Sequence, residues 1–258
     1  MSVRVRAALL IVLIAAGGTA ACGGRIFSKQ YEYEEDLYLA TDGSADLIVN
    51  ASIPALVSLR GLTLDTDPAA QVDRDAIRAA YESPDTDVTR VSRPWRRDGR
   101  RFVQVRLKVR DVRSLHTAAP FAWSRYSFSE DNGARVYQQT VGASALRPGT
   151  LKNYGWKGNE LVAFRLHMPS RIISHNARDI DTSSGSAVQR GNILAWEQLL
   201  TDRLDGRPIA IEVRMDRQSI LYTTLWLFAG AFGAAVLVIG LMIWLTIRKG
   251  AREAQTPA

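Results

Sequence analysis

Hydrophobic and polar residues alternate along much of the chain between residues 31 and 219, with the period of two that is typical of β-strands. Paired segments of this kind flank three turn sequences: 31–40 and 45–53 around Asp42-Gly43, 88–95 and 100–109 around Asp98-Gly99, and 122–129 and 134–141 around Asp131-Asn132-Gly133. Asp-Gly and Asn-Gly favour the tight turns that join antiparallel strands. We therefore predict three hairpins, with later strands at 161–168, 193–196 and 208–215.

Short helices are predicted between these strands. Residues 54–62 are apolar, and Asp111 is placed to cap a helix at 111–118. Asp67-Pro68 reads as an N-cap followed by proline in the first turn, which predicts a helix that continues to Tyr81. Residues 142–160 read as a long loop and 197–206 as an extended segment. The predicted fold class is α+β: a mainly antiparallel sheet of hairpins with two or three short helices, plus a C-terminal transmembrane helix.

The C-terminal segment predicts the membrane helix. From Ile220 to Ile247 the only ionisable side chain is that of Tyr222, and a run of more than about 18 apolar residues can span a bilayer. Basic residues follow at once, at Arg248, Lys249 and Arg252. Because positive residues remain inside, this charge predicts a cytoplasmic C-terminus, with the preceding domain on the outer, periplasmic or extracellular, face of the cytoplasmic membrane.

The N-terminus agrees with export. Arg4 and Arg6 precede an apolar run at 7–16 and then small residues, which is the layout of a secretory signal. Cys22, the only cysteine, lies at the expected cleavage site, and residues 19–23 (TAACG) resemble a bacterial lipobox with threonine in place of leucine. We predict lipidation at Cys22, with a free thiol as the alternative. The predicted organisation is a signal peptide at 1–21, an extracytoplasmic α+β domain at 22–219, a transmembrane helix at 220–247 and a cytoplasmic tail at 248–258.

Charge is distributed unevenly over the outer domain. The chain carries +7, of which residues 1–21 and the segment from 220 onward hold +2 each, so +3 remains between them. Residues 32–46 are acidic, whereas residues 90–113 are strongly basic and place Arg106, Lys108 and Arg110 on one strand face. These three are candidate contacts for an anionic lipid. The alternative is that the acidic hairpin pairs with them inside one sheet.

A family resemblance follows from the order of these features: lipobox, acidic strand with an Asp-Gly turn, short helices, paired strands and a C-terminal span. A late segment adds to it, in which Pro169 ends a strand, Asn176 marks a turn and Trp196 lies on the return strand. The chain resembles the LppM-type lipoprotein domain of bacterial envelopes, with departures at 142–160 and 197–206. The resemblance implies a non-enzymatic envelope domain with an α+β fold that can hold lipid.

Catalytic and metal chemistry finds little support in the sequence. His116, His167 and His175 lack the close spacing and the carboxylate or thiolate neighbours of zinc sites. Ser170, His175 and Asp179 can be drawn as a triad, yet no nucleophile-elbow sequence surrounds the serine. We therefore assign no catalytic residue, metal or cofactor. Nucleic acid is excluded as a partner by the compartment and by the absence of interleaved aromatic residues.

The sequence thus predicts a membrane-tethered bacterial envelope lipoprotein that is not an enzyme and binds an envelope lipid or a membrane-protein partner. The alternative is a hydrolase or another enzyme that acts on cell-wall or lipid substrates. Lipid binding is favoured because sheet faces covered by only one or two short helices would leave a gap for an acyl chain. The residues expected to line that gap are Leu47, Val49, Val103, Val105, Phe164, Leu166, Ile209 and Ile211.

Overall fold

The computed structural model describes residues 29–146, 154–180 and 191–253. Within them the strands are β1 (Tyr31–Leu39), β2 (Ala45–Ser52), β3 (Thr86–Val91), β4 (Trp95–Arg97), β5 (Arg100–Val109), β6 (Ser124–Asp131), β7 (Ala134–Val141), β8 (Leu161–His167), β9 (Ser170–His175), β10 (Ile193–Leu199) and β11 (Ile209–Ser219). The helices are α1 (Ile53–Arg60), α2 (Arg74–Tyr81), α3 (Leu200–Leu204) and α4 (Ile220–Glu253), with 3-10 helices at Val112–Thr117 and Ala119–Phe121. The predicted α+β class is confirmed.

The strands form two sheets. The larger has the order β10-β8-β1-β2-β5-β3, with β4 also paired to β5, and the smaller has the order β6-β7-β11-β9. The three predicted hairpins are present as β1–β2, β4–β5 and β6–β7. The pairing of β1 with β8 is parallel and was not predicted, because a pairing between distant segments leaves no local turn signal.

One continuous core joins the two sheets. All eight residues that were expected to line a gap are buried in this core, together with Val213 and Met215 of β11. The inner face of the larger sheet is therefore covered by the second sheet as well as by short helices. This arrangement removes the reason for expecting a gap, since the expectation assumed that helices alone covered the strands.

The helix boundaries follow local capping. α1 begins after Ser52, whose hydroxyl accepts from the Ala55 amide, and it ends at Gly61 in the left-handed conformation (φ 72°), as the 54–62 prediction expected. α2 was predicted to begin at Asp67-Pro68 but begins at Arg74, because Asp73 caps it through the amides of Asp75 and Ala76. Asp67 instead closes a local turn by accepting from the Ala69 amide.

Two further elements depart from the predictions. Residues 170–175 lie outside the predicted strands, but they form strand β9, which pairs with β11. Residues 200–204, within the segment 197–206 where the chain departs from the resemblance, form helix α3, which was not predicted. Both elements are so short that their hydrophobic pattern does not distinguish a strand or helix from a loop.

Candidate membrane-proximal site and basic surface

Strand β11 passes into helix α4 without an intervening loop, since the strand ends at Ser219 and the helix begins at Ile220. The Ile220 amide donates to the Pro169 carbonyl at 3.0 Å, and the Ser219 hydroxyl accepts from the Tyr222 amide at 3.1 Å. The segment Ile220–Arg248 contains an 18-residue stretch with a mean hydropathy of 2.3, and none of that stretch is buried. By length and composition it can cross a membrane, which agrees with the predicted span at 220–247.

A groove of about 510 Å³ lies at this junction. It is lined by Arg171, Asp216, Arg217, Gln218, Ile220 and Thr224. The Arg171 Nε lies 2.8 Å from the Asp216 carboxylate, and the Arg217 guanidinium lies 3.2 Å from Glu130 on β6. The groove therefore combines cationic groups and a carboxylate with the first turn of an apolar helix.

The predicted basic row has the expected placement. Arg106, Lys108 and Arg110 are exposed and project from the outer face of the larger sheet, opposite to the buried valines of β5. Lys108 lies 3.7 Å from Asp46 on β2, in an exposed ion pair. Arg106 donates to the side-chain oxygen of Gln104 and Arg110 donates to the Pro84 carbonyl, so neither is held by an acidic side chain in the described ranges.

The acidic strand finds its cations elsewhere. Glu34 pairs with Arg165 of β8 at 2.7 Å, Glu35 pairs with Arg60 at 2.5 Å, and Glu32 pairs with Arg100 at 2.9 Å. The alternative in which the acidic hairpin neutralises the outer basic row is thus confirmed only for the Asp46–Lys108 pair. The strand order separates Glu34 from the row, because β2 lies between β1 and β5, and Glu32 reaches β5 only at its buried first residue, Arg100.

The Glu35–Arg60 pair forms the centre of a buried polar cluster that the sequence did not reveal. Tyr33 donates to Glu35 and lies under the Arg60 guanidinium, whose carbon is 4.5 Å from the ring centre. Burial raises the pKa of Tyr33 well above its usual value, against the opposing effect of Arg60. Arg203 is also buried, donates to the carbonyls of residues 141, 142 and 207, and has its pKa lowered to about 10 by burial and by Arg60.

The histidines and the triad candidates do not converge. His167 stacks on Tyr38 with ring centres 3.8 Å apart. Burial lowers the pKa of His167, and the nearby Asp36 offsets only part of this effect. Ser170 and His175 are the two ends of strand β9, and five steps of about 3.3 Å separate them by roughly 17 Å. They therefore cannot act as nucleophile and base. No group of three potential metal ligands occurs among the described residues.

The basic row gives the first testable expectation. Replacing Arg106, Lys108 and Arg110 by Gln removes about 1 kcal/mol of surface attraction to anionic lipid per charge, or roughly a hundredfold in binding for the three. Unfolding free energy should fall by about 1 kcal/mol or less, because the Lys108–Asp46 pair is exposed. The measurement is binding of phosphatidylglycerol vesicles to the full chain immobilised in zwitterionic nanodiscs. A large stability loss with unchanged binding would show that the row serves the fold alone.

Comparison with known proteins gives one structural likeness. No family model matches the chain, and no curated protein matches it. The fold is similar to the folded domain of LppM from Mycobacterium tuberculosis, determined by NMR, with 13% sequence identity and a TM-score of 0.37. The match covers 75% of this chain and 95% of that domain. The likeness is distant and carries no inference about a ligand or an activity.

The predicted lipidation site, Cys22, lies outside the residues that the structure describes.

Proposed function

We propose that this protein is a membrane-tethered lipoprotein of the bacterial envelope, attached by an acyl group on Cys22 and by helix α4. Its domain binds membrane phospholipid without catalysis. The observation that supports this proposal is the direct passage from β11 to α4, because the junction groove would lie at the membrane surface when α4 spans the bilayer. The lipobox-like residues 19–23 and the basic tail after Ile247 support the orientation, with the domain outside and the C-terminus in the cytoplasm.

The depth of the groove follows from helix geometry. Trp226 lies six residues after Ile220, or about 9 Å along the axis, and tryptophan favours the boundary between hydrocarbon and headgroups. Each headgroup layer is about 5–8 Å thick. With Trp226 at that boundary, Thr224 lies about 3 Å outside the hydrocarbon, within the layer, and Ile220 about 9 Å outside it, just beyond the layer. The groove therefore opens at the height of lipid headgroups.

The charges in the groove fit a zwitterionic headgroup. The guanidiniums of Arg171 and Arg217 can bind a phosphodiester, and the Asp216 carboxylate can accept from an ammonium group. Acyl chains would then run along the apolar surface of α4 below Ile220. Phosphatidylethanolamine carries both groups, so it is the ligand class that we propose for this groove.

Changing Arg171 and Arg217 to Gln tests the proposal. Losing one charge-assisted hydrogen bond costs about 1.5–3 kcal/mol, so we expect retention of phosphatidylethanolamine to fall at least roughly tenfold. The measurement is native mass spectrometry of the full chain released from lipid nanodiscs, with bound lipids counted. The matched control is Arg90→Gln with Arg93→Gln, which removes the same total charge at strand β3 of the larger sheet and just after it. Equal lipid retention in wild type and the Arg171/Arg217 variant would disprove the lipid site and favour a membrane-protein partner for this groove.

A further inference from the structure

A second groove, of about 430 Å³, lies between helix α2 and strand β3. Four arginines line it, Arg74 and Arg78 from the helix and Arg90 and Arg93 from the strand and the residues after it, together with Thr89, Val91 and Ser92. The domain between the predicted anchors has a net charge of only +3, so four cations around one groove are a marked local concentration.

The two helix arginines are fixed by the edge of the sheet. Arg74 and Arg78 are one turn apart on α2 and therefore lie on the same helix face. Arg74 donates to the Val91 carbonyl at 2.8 Å, and Arg78 donates to the Val88 carbonyl. β3 is the last strand of the larger sheet, so these bonds cover carbonyls of its open edge. A guanidinium has five N–H donors, which leaves most of them available to a ligand.

The two strand-side arginines line the same groove from strand β3 and the residues after it. Arg90 and Arg93 are exposed, and Arg90 lies directly opposite Arg106 in the β3–β5 register. The nearby carboxylate of Glu82 lies 3.6 Å from Arg78 and also accepts from the Val88 amide at 3.2 Å. Among the ion pairs of the described residues, none involves Arg90 or Arg93. No acidic side chain of the described residues therefore pairs with them, which leaves both guanidiniums available to an anion.

We propose that this groove binds a ligand with two adjacent phosphate groups, as in a diphosphate or a phosphodiester polymer. The planar guanidinium fork matches a phosphate bidentately, and the arginines come in two pairs, Arg74 with Arg78 from the helix and Arg90 with Arg93 from the strand side. Each pair binds one phosphate. The inference is independent of the lipid groove at the junction, which lies against the other sheet.

The test uses inorganic pyrophosphate as the probe and the full chain in zwitterionic nanodiscs, with binding measured by isothermal titration calorimetry at low and physiological salt. Arg90→Gln with Arg93→Gln should weaken pyrophosphate binding at least roughly tenfold, because two charge-assisted contacts are lost. The variant leaves the two bonds from α2 to the β3 edge in place. Orthophosphate should bind more weakly than pyrophosphate, and higher salt should weaken both.

Arg171→Gln with Arg217→Gln is the control, since it removes the same charge at the junction groove. Unchanged pyrophosphate binding in this control, with loss in the Arg90/Arg93 variant, supports the phosphate site whatever the outcome for phosphatidylethanolamine. In a second titration, phosphatidylglycerol vesicles replace pyrophosphate. The comparison tells whether the groove binds the phosphate of a lipid or that of a soluble molecule. Equal loss in both variants would show a general charge effect and would overturn the site, as would a wild-type chain that does not bind pyrophosphate.

Discussion

Replacing Glu35 by Ala is expected to destabilise the domain by about 3–5 kcal/mol, which is the cost of leaving one partner of a buried ion pair without its counterion. Arg60 and Glu35 are both buried, and their charged atoms are 2.5 Å apart. Without the carboxylate, Arg60 would remain close to the buried Arg203, whose pKa Arg60 already lowers. The substitution would therefore leave two unbalanced buried cations, and Tyr33 would lose the acceptor of its hydroxyl group.

The measurement is chemical unfolding of the full chain in detergent micelles, followed by tryptophan fluorescence. Asp46→Ala is the control, because it breaks an ion pair of similar chemistry on the surface and should cost about 1 kcal/mol or less. Arg60→Leu combined with Glu35→Ala should recover part of the loss, because the Arg60 charge is then removed together with its counterion and only Arg203 remains as a buried cation. A Glu35→Ala variant as stable as the Asp46→Ala control would show that water reaches the pair.

Replacing Asn176 by Ala is expected to cost about 2–4 kcal/mol, because several hydrogen bonds are lost and one buried donor is left unsatisfied. The side-chain oxygen of Asn176 accepts from the indole N–H of Trp196 at 3.0 Å and from the Glu212 amide at 2.9 Å, and its nitrogen donates to the Ala210 carbonyl at 3.0 Å. Trp196 belongs to β10 of the larger sheet, whereas Ala210 and Glu212 belong to β11 of the smaller one. Asn176 therefore connects the two sheets.

A double-mutant cycle with Trp196→Phe isolates the connection between the sheets. Phenylalanine has no N–H, so Asn176→Ala should cost at least about 1 kcal/mol less in that background than in wild type. The cycle is measured by the same unfolding experiment, with the same buffer and detergent for all four proteins. Additive effects of the two substitutions would mean that Asn176 acts only within the smaller sheet, through Ala210 and Glu212.

Local signals account for what the sequence predicted correctly. Asp-Gly and Asn-Gly turns identified the hairpins, and Asp111 capped the 3-10 helix at 112–117 as expected. The pairing of β1 with β8 and the position of β9 depend on contacts between distant residues. The basic row was predicted by alternation alone, whereas the groove of Arg74, Arg78, Arg90 and Arg93 requires helix α2 to lie along the edge of β3. No spacing rule brings those two segments together.

Buried charges were the least predictable feature. Arg60 ends an apolar helix, where a basic residue is normally exposed and interacts with the helix dipole. Its side chain instead enters the core, because Glu35 on the inner face of β1 supplies a counterion there. Strand alternation puts Glu35 on the opposite face from Glu34 and Asp36. It contained no information on which distant cation would meet it.

The continuity of β11 and α4 has a mechanical consequence. β11 pairs with β7 as far as Asp216 and with β9 as far as Ser219, the residue that precedes the helix. With Trp226 at the hydrocarbon boundary, α4 continues for 21 residues to Ile247, or about 32 Å, which is close to a hydrocarbon layer of about 30 Å, so a thinner bilayer would make the helix tilt. Without a flexible hinge, that tilt turns the whole sheet with it. A change in bilayer thickness would thereby rotate the domain over the membrane surface, with the first turn of the helix as the pivot point.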